Sequence, residues 1–160
     1  MSGPTTTTIK QLFAVSGNRC AFPGCNLPLV DAGSGTVLGE ICHIKARSPE
    51  GPRYDSAQAE EERHAFGNLL LLCPAHHKIV DDNPGEYTVE WLLETKAQHE
   101  SQAAGGPDLP DEVAQRLERQ LENHGDVSGQ VAVGNNVFQI GDVQGSTINI
   151  TMPGRSDDRD

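Results

Sequence analysis

Aromatic side chains are scarce in this chain. Four Phe, two Tyr and one Trp make up 4% of 160 residues. With a mean hydropathy of −0.47, this excludes a large aromatic-packed core and predicts a small one that needs a staple, either metal or disulfide. Long apolar runs are also missing. The longest, Leu69–Cys73, falls far short of the roughly 20 residues a membrane helix requires. The opening residues MSGPTTTTIK lack the apolar stretch of a secretory leader. The expectation is a cytoplasmic protein with no membrane contact, in a reducing compartment where clustered Cys hold metal more often than disulfides.

Positive charge is thin as well. Twelve Lys and Arg face 23 Asp and Glu, for a formal charge of −11. Residues 1–80 carry seven of each sign, whereas residues 81–160 carry five basic and sixteen acidic. Such a balance excludes a passive electrostatic binder of nucleic acid. Any contact with phosphate must be local, and Lys45, Arg47 and Arg53 form the nearest approach to a basic patch.

The chain nevertheless has clear local patterning. After a threonine-rich start expected to be disordered, Thr8–Val15 spaces Ile9, Leu12 and Phe13 as one helical face, ended by Gly17. Leu27–Val30, the turn DAGSG and Thr36–Ile44 read as a β-hairpin with a five-residue loop. Ala57–Phe66 reads as a short helix with a polar face. The run LLLLC suits a buried strand or a buried helix equally well. AHHKIVDD reads as a short helix, stopped by Asn83-Pro84-Gly85. Thr88–Glu100 reads as a helix with Thr88 as N-cap and Val89, Leu92, Leu93 and Ala97 on one face. Residues 101–110 form a linker. Residues 111–124 form a short amphipathic helix whose narrow stripe of Val113, Leu117 and Leu121 calls for a partner surface.

Beyond His124 the pattern changes. Gly-Asp-Val-x-Gly occurs at Gly125–Gly129 and again at Gly141–Gly145, each time before alternating apolar residues. Residues 125–152 are therefore expected to be a Gly-rich β-repeat. Two copies bury too little to stand alone, so residues 111–152 point to homo-oligomerisation or docking to another protein. Residues 153–160 are expected to be disordered.

Two ligand pairs carry chemistry. Cys20-x4-Cys25 and Cys73-x2-His76 each span a tight turn, so each turn can present two ligands to one structural Zn²⁺. Binding of that ion supplies about 10–16 kcal/mol of folding energy in small zinc domains, enough to offset a thin core. Cys42 has no paired neighbour and reads as a small packed side chain. The second histidine of the doublet, His77, is left for other work, with Asp81 one turn further along the same helical face. His64 and His99 read as non-catalytic.

The segments CAFPGC, EICHIKARSP and NLLLLCPAHHKIVD, in that order over residues 18–82, resemble the His-Asn-His (HNH) endonuclease family. The resemblance implies an α+β chain built on a ββα-metal (His-Me finger) nuclease core within residues 1–100, with a zinc knuckle and flanking helices. It implies a DNA substrate whose phosphodiester bonds are hydrolysed with low sequence specificity. His43 would be the general base, Asn68 would fix the hairpin or orient His43, and His77 would bind a catalytic Mg²⁺ or Mn²⁺. Many family members place an Asp or His ligand just before the first histidine, where this chain has Cys42. Asp81 and Glu40 are the substitutes expected to ligate the ion. Lys45, Arg47 and Arg53 would contact DNA phosphate. A nuclease joined to an association tail is also similar to bacterial defence effectors, an analogy only. The other reading is a non-catalytic zinc-knuckle module acting as a nucleic-acid binder or adaptor through its C-terminal β-repeat.

Overall fold

The computed structural model describes residues 3–124. The expected β-repeat at 125–152 and the terminal segment 153–160 lie outside the described residues. What is described is an α+β arrangement. A two-stranded antiparallel sheet, β1 (Glu40–His43) and β2 (Leu69–Leu72), is surrounded by α1 (Thr6–Ala14), α2 (Glu60–Arg63), α3 (Pro74–Asp82), α4 (Val89–Gln102) and α5 (Asp111–His124). No helix among the described residues is long and apolar enough to cross a membrane.

The leucine run is a strand. Leu69 to Leu72 are all buried, because both faces of the sheet are covered, and this is why no alternation shows in the sequence. The register pairs Glu40 with Leu72, Ile41 with Leu71, Cys42 with Leu70 and His43 with Leu69. Alternate residues face opposite sides. Ile41, Leu69 and Leu71 join the apolar cluster of Ile9, Leu12 and Phe13 on α1. Cys42, Leu70 and Leu72 join a second cluster with Val80 on α3 and Leu92 on α4.

The expected hairpin over Leu27–Ile44 is reduced to a single bridge, Val30 to Val37. The turn itself forms, with the Asp31 carboxylate accepting from the backbone and hydroxyl of Ser34 at 2.8 and 2.6 Å. The strand that follows instead takes the leucine run as its partner, with 25 residues (44–68) between the two. Gly39 allows the crossing: a Cβ there would lie 2.5 Å from a Leu29 methyl, while its amide donates to Leu29 O at 3.0 Å. The helix expected over Ala57–Phe66 also shrinks, to the four residues of α2 and a 3₁₀ turn at Phe66–Asn68. Arg63 turns inward there and donates to the carbonyls of Ala46, Asp55 and Gln58.

α1 starts at Thr6, earlier than its apolar spacing suggested, because the Thr5 hydroxyl caps it by accepting from the Thr8 amide. The Val113, Leu117 and Leu121 stripe of α5 packs on the α1 cluster. Thr6 donates to Glu118 at 2.6 Å and Lys10 pairs with Asp111 at 2.7 Å along the same seam. The segment between α4 and α5 is pinned as well, since Leu109 is buried and a Cβ on Gly106 would meet the Phe13 carbonyl oxygen at 2.0 Å. On α4 the buried side is Leu92, Thr95 and Lys96. Leu93 is exposed and so is Ala97, so the expected face was displaced around the helix.

Candidate functional site

α3 begins at the end of β2. Pro74 occupies its first position, where a missing amide is harmless, and Cys73 stands just before it. This strand-to-helix corner brings Cys73 and His76 together with the CAFPGC turn, which is anchored by Ala21 N donating to Leu71 O at 3.0 Å. Cys20, Cys25, Cys73 and His76 offer ligand atoms all within 4.8 Å of one another. His76 Nδ1 lies 3.7 Å from Cys20 Sγ and 3.2 Å from Cys73 Sγ. The Cys73 amide donates to Cys20 Sγ at 3.1 Å, a bond suited to a thiolate. Burial pushes the metal-free Cys20 thiol up to about 12, so an ion must displace that proton to bind. Three thiols and an imidazole, converging and four in number, form a donor set that fits structural zinc. Phe22 stacks on the His76 ring at 4.0 Å and touches Tyr87 and Trp91. Three of the chain's seven aromatics, Phe22, Tyr87 and Trp91, are thus gathered around this corner.

His77, the next residue on α3, turns away from that cluster. Its Nδ1 bonds Glu40 Oε2 at 2.7 Å. Its Nε2 is 3.1 Å from Asp81 Oδ2, off the line of a hydrogen bond and otherwise buried without a hydrogen-bond partner. Cys42, His77 and Asp81 also converge, their ligand atoms within 4.8 Å, with Cys42 Sγ 3.9 Å from Asp81 Oδ1. Burial disfavours a charge on His77, but Cys42, Asp81 and Glu40 outweigh it and hold the imidazole well above its usual range. Burial likewise raises the Cys42 thiol. Cys42 is packed in the second apolar cluster, as expected, and also belongs to this ligand group. Its signal in the sequence was its place directly before His43, on the same strand face as Glu40.

Arg53 closes this second cluster from the other side. It is held in the left-handed region at φ 58° and reaches back over the end of β1. Its Nη2 pairs with Asp81 Oδ1 at 2.7 Å, both side chains being nearly inaccessible. Its other donors go to the carbonyls of Ile44 at 2.7 Å and Val80 at 3.1 Å, with longer contacts to His43 and Tyr87.

Asn68 has a clear task. Its Oδ1 accepts from the Lys45 amide at 3.0 Å, and its Nδ2 donates to the carbonyls of Lys45 and Arg63, each at 2.9 Å. It locks the backbone leaving β1 to the start of β2. Its side chain engages backbone and not the His43 ring. His43 is 3% exposed and shares the strand face of Ile41, opposite Cys42 and Glu40. Its Nε2 lies 3.4 Å from His64 Nδ1, the rings crossing edge to face at 5.5 Å, and His64 Nε2 is 4.0 Å from Glu60. His64, read from sequence as non-catalytic, is the ring against the expected base.

The structure brings His77, Asp81 and Cys42 together, with Glu40 behind His77. His43 sits next to that cluster along the chain, on the opposite sheet face. The three basic residues are engaged within the chain. Lys45 pairs with Asp55 at 2.7 Å, Arg47 donates to Leu121 O at 2.6 Å, and Arg53 is bound as above. The fit of an ion at the second cluster depends on donor chemistry. Mg²⁺ demands oxygen ligands, whereas a thiol and an imidazole supply two of the three donors here. The set does not fit Mg²⁺. No family model and no curated protein matches the chain.

Proposed function

We propose that this chain is a metal-dependent endonuclease of the HNH kind that hydrolyses phosphodiester bonds in DNA. The observation that carries the reading is the adjacency at the end of β1. Cys42 enters a ligand cluster with His77 and Asp81, and the next residue, His43, is an imidazole backed by His64. Asn68 fixes the backbone just beyond. In this reading His43 accepts the proton of the attacking water, a task an imidazole performs well near neutral pH. Asn68 acts as a positioning residue for the turn that carries it. Arg47 and Lys45 lie on the same segment, and each would exchange an internal partner for phosphate when DNA arrives. An acidic half that outweighs the basic residues restrains non-specific binding of DNA by itself.

A second reading is favoured by one observation. His43 is nearly inaccessible and Lys45, Arg47 and Arg53 are all engaged internally, which suits a zinc-stapled adaptor working through its C-terminal β-repeat, residues 125–152.

Nicking of supercoiled plasmid by wild-type protein and His43→Ala, with Mg²⁺, Mn²⁺, Zn²⁺, Co²⁺ or chelator, separates the two. The nuclease reading expects metal-dependent nicking that falls about 10²–10⁴-fold in His43→Ala. Equal nicking by both proteins removes His43 as base, and no nicking with any ion favours the adaptor.

A further inference from the structure

We propose that Cys42, His77 and Asp81 form a second metal site, one that selects a thiophilic divalent ion of the Zn²⁺ or Co²⁺ class and rejects Mg²⁺. The inference rests on the same cluster that carries the nuclease reading and deepens it by naming the class of ion, and its test needs no DNA.

The geometry comes first. Three donors of three kinds, a thiol, an imidazole nitrogen and a carboxylate oxygen, lie within 4.8 Å of one another. They come from two elements, β1 and α3, that pack against each other. The His77 nitrogen turned toward Asp81 is buried and makes no hydrogen bond. A buried polar atom normally has a partner, and an ion seated between these residues supplies one.

The surroundings have the form of a second shell. Glu40 accepts from His77 Nδ1 at 2.7 Å. This fixes the tautomer and leaves Nε2 for the ion, as the carboxylate behind a metal-bound histidine does. Glu40, expected from sequence as a ligand, is therefore assigned to orienting one. Arg53 takes Asp81 Oδ1 at 2.7 Å, which turns Oδ2 toward His77. Each ligand with an ambiguous orientation thus has one atom held from behind and one directed inward.

The donor set then decides the ion. Soft and borderline ions accept thiolate and imidazole, while Mg²⁺ requires near-octahedral oxygen. Three protein ligands also leave a tetrahedral ion one open position, the pattern of reactive zinc sites as opposed to structural ones. The two sites would share α3. His76 serves the closed Cys3His cluster and His77 the open one.

The test is Co²⁺ titration of the full, metal-stripped chain under reducing conditions, read by thiolate-to-cobalt charge-transfer absorption and by bound metal per chain. Wild-type protein is expected to bind about two equivalents. Cys42→Ser and His77→Gln are each expected to bind about one, with the Cys3His spectrum intact and circular dichroism unchanged. Tenfold excess Mg²⁺ is expected to displace neither equivalent. Cys42→Asp is expected to shift the second site to Mn²⁺ and remove its charge-transfer band. One equivalent in wild type, or two retained in both Cys42→Ser and His77→Gln, overturns the proposal. Displacement of the second equivalent by Mg²⁺ overturns its selectivity. Because no DNA is present, failure here is separable from failure of the nuclease reading, which plasmid nicking measures.

Discussion

His76 and His77 are neighbours that serve different partners. Nδ1 of His76 lies 3.2 Å from Cys73 Sγ, and Nδ1 of His77 lies 2.7 Å from Glu40 Oε2. Successive residues on a helix point about 100° apart, so α3 can wall off two clusters with one turn. The Cys3His corner that includes His76 offers a donor set for zinc, and His77 belongs to a second buried cluster with Cys42 and Asp81.

The core is small enough for the zinc corner to matter to folding. Cys73→Ala removes a buried ligand from the set of four, and a metal-dependent fold loses its binding free energy with the ion. Circular dichroism melts are expected to show a cooperative transition for wild type, a transition lowered by well over 10 °C in strong chelator, and none for Cys73→Ala.

Asn68→Ala deletes three hydrogen bonds to backbone and leaves buried amide and carbonyl groups unmatched, at about 1–3 kcal/mol each. Urea unfolding is expected to show a loss of about 2–5 kcal/mol. Asn68→Asp turns a carboxylate oxygen toward the carbonyls of Lys45 and Arg63 at a buried site, so it is expected to be no more stable than Asn68→Ala at neutral pH. A change under 0.5 kcal/mol in Asn68→Ala contradicts the assigned role.

Arg53→Ala leaves Asp81 as a buried charge without its guanidinium. Removing one partner of such a pair costs about 3–5 kcal/mol. Arg53→Lys is expected to recover little, since a lysine cannot reach the several carbonyls the planar fork spans. Chemical denaturation of the three proteins checks both statements.

Gly106 and Gly67 make a paired test. A Cβ on Gly106 runs into the Phe13 carbonyl, whereas nothing lies within 4 Å of one on Gly67. Gly106→Ala is expected to lower stability by about 1–3 kcal/mol through displacement of the α1 end. Gly67→Ala is expected to stay within about 1 kcal/mol of wild type. Equal effects contradict the described packing between α4 and α5.

Burial lowers the pKa of His99, whose Nε2–H donates to Ser16 O at 2.8 Å. Its folded value lies below the unfolded one near 6.5, so the unfolded chain takes up the proton first. The contribution of His99 is full above about pH 6.5 and is lost as pH falls toward its folded value. His99→Gln, measured beside wild type from pH 5 to 8, is expected to be less stable at pH 8 and to narrow the gap at pH 5. Parallel curves contradict this.

Much of this site was legible in the sequence. Tight turns fix ligand spacing, so Cys20, Cys25, Cys73 and His76 could be read directly, and the i,i+4 relation gave His77 with Asp81. Strand pairing was harder. Thr36–Ile44 carries a turn signal toward Leu27–Val30, yet β1 pairs with β2, a long-range choice made by burial on both faces. Cys42 was read as packing because its partners arrive from α3 and not from its own neighbourhood. The partners of Arg53 and His64, namely Asp81 and His43, were hidden for the same reason, since both arrive from distant segments. Glu40 was expected beside His77, and its carboxylate lies 2.7 Å from His77 Nδ1.

The division of labour between the paired histidines is tested most directly by melting His76→Gln and His77→Gln with and without chelator. His77→Gln is expected to melt as a folded, chelator-sensitive protein close to wild type. His76→Gln is expected to have lost both the stability and the response to chelator. If the two variants melt alike, or if His76→Gln keeps a chelator-sensitive transition like that of wild type, the two histidines do not serve separate sites.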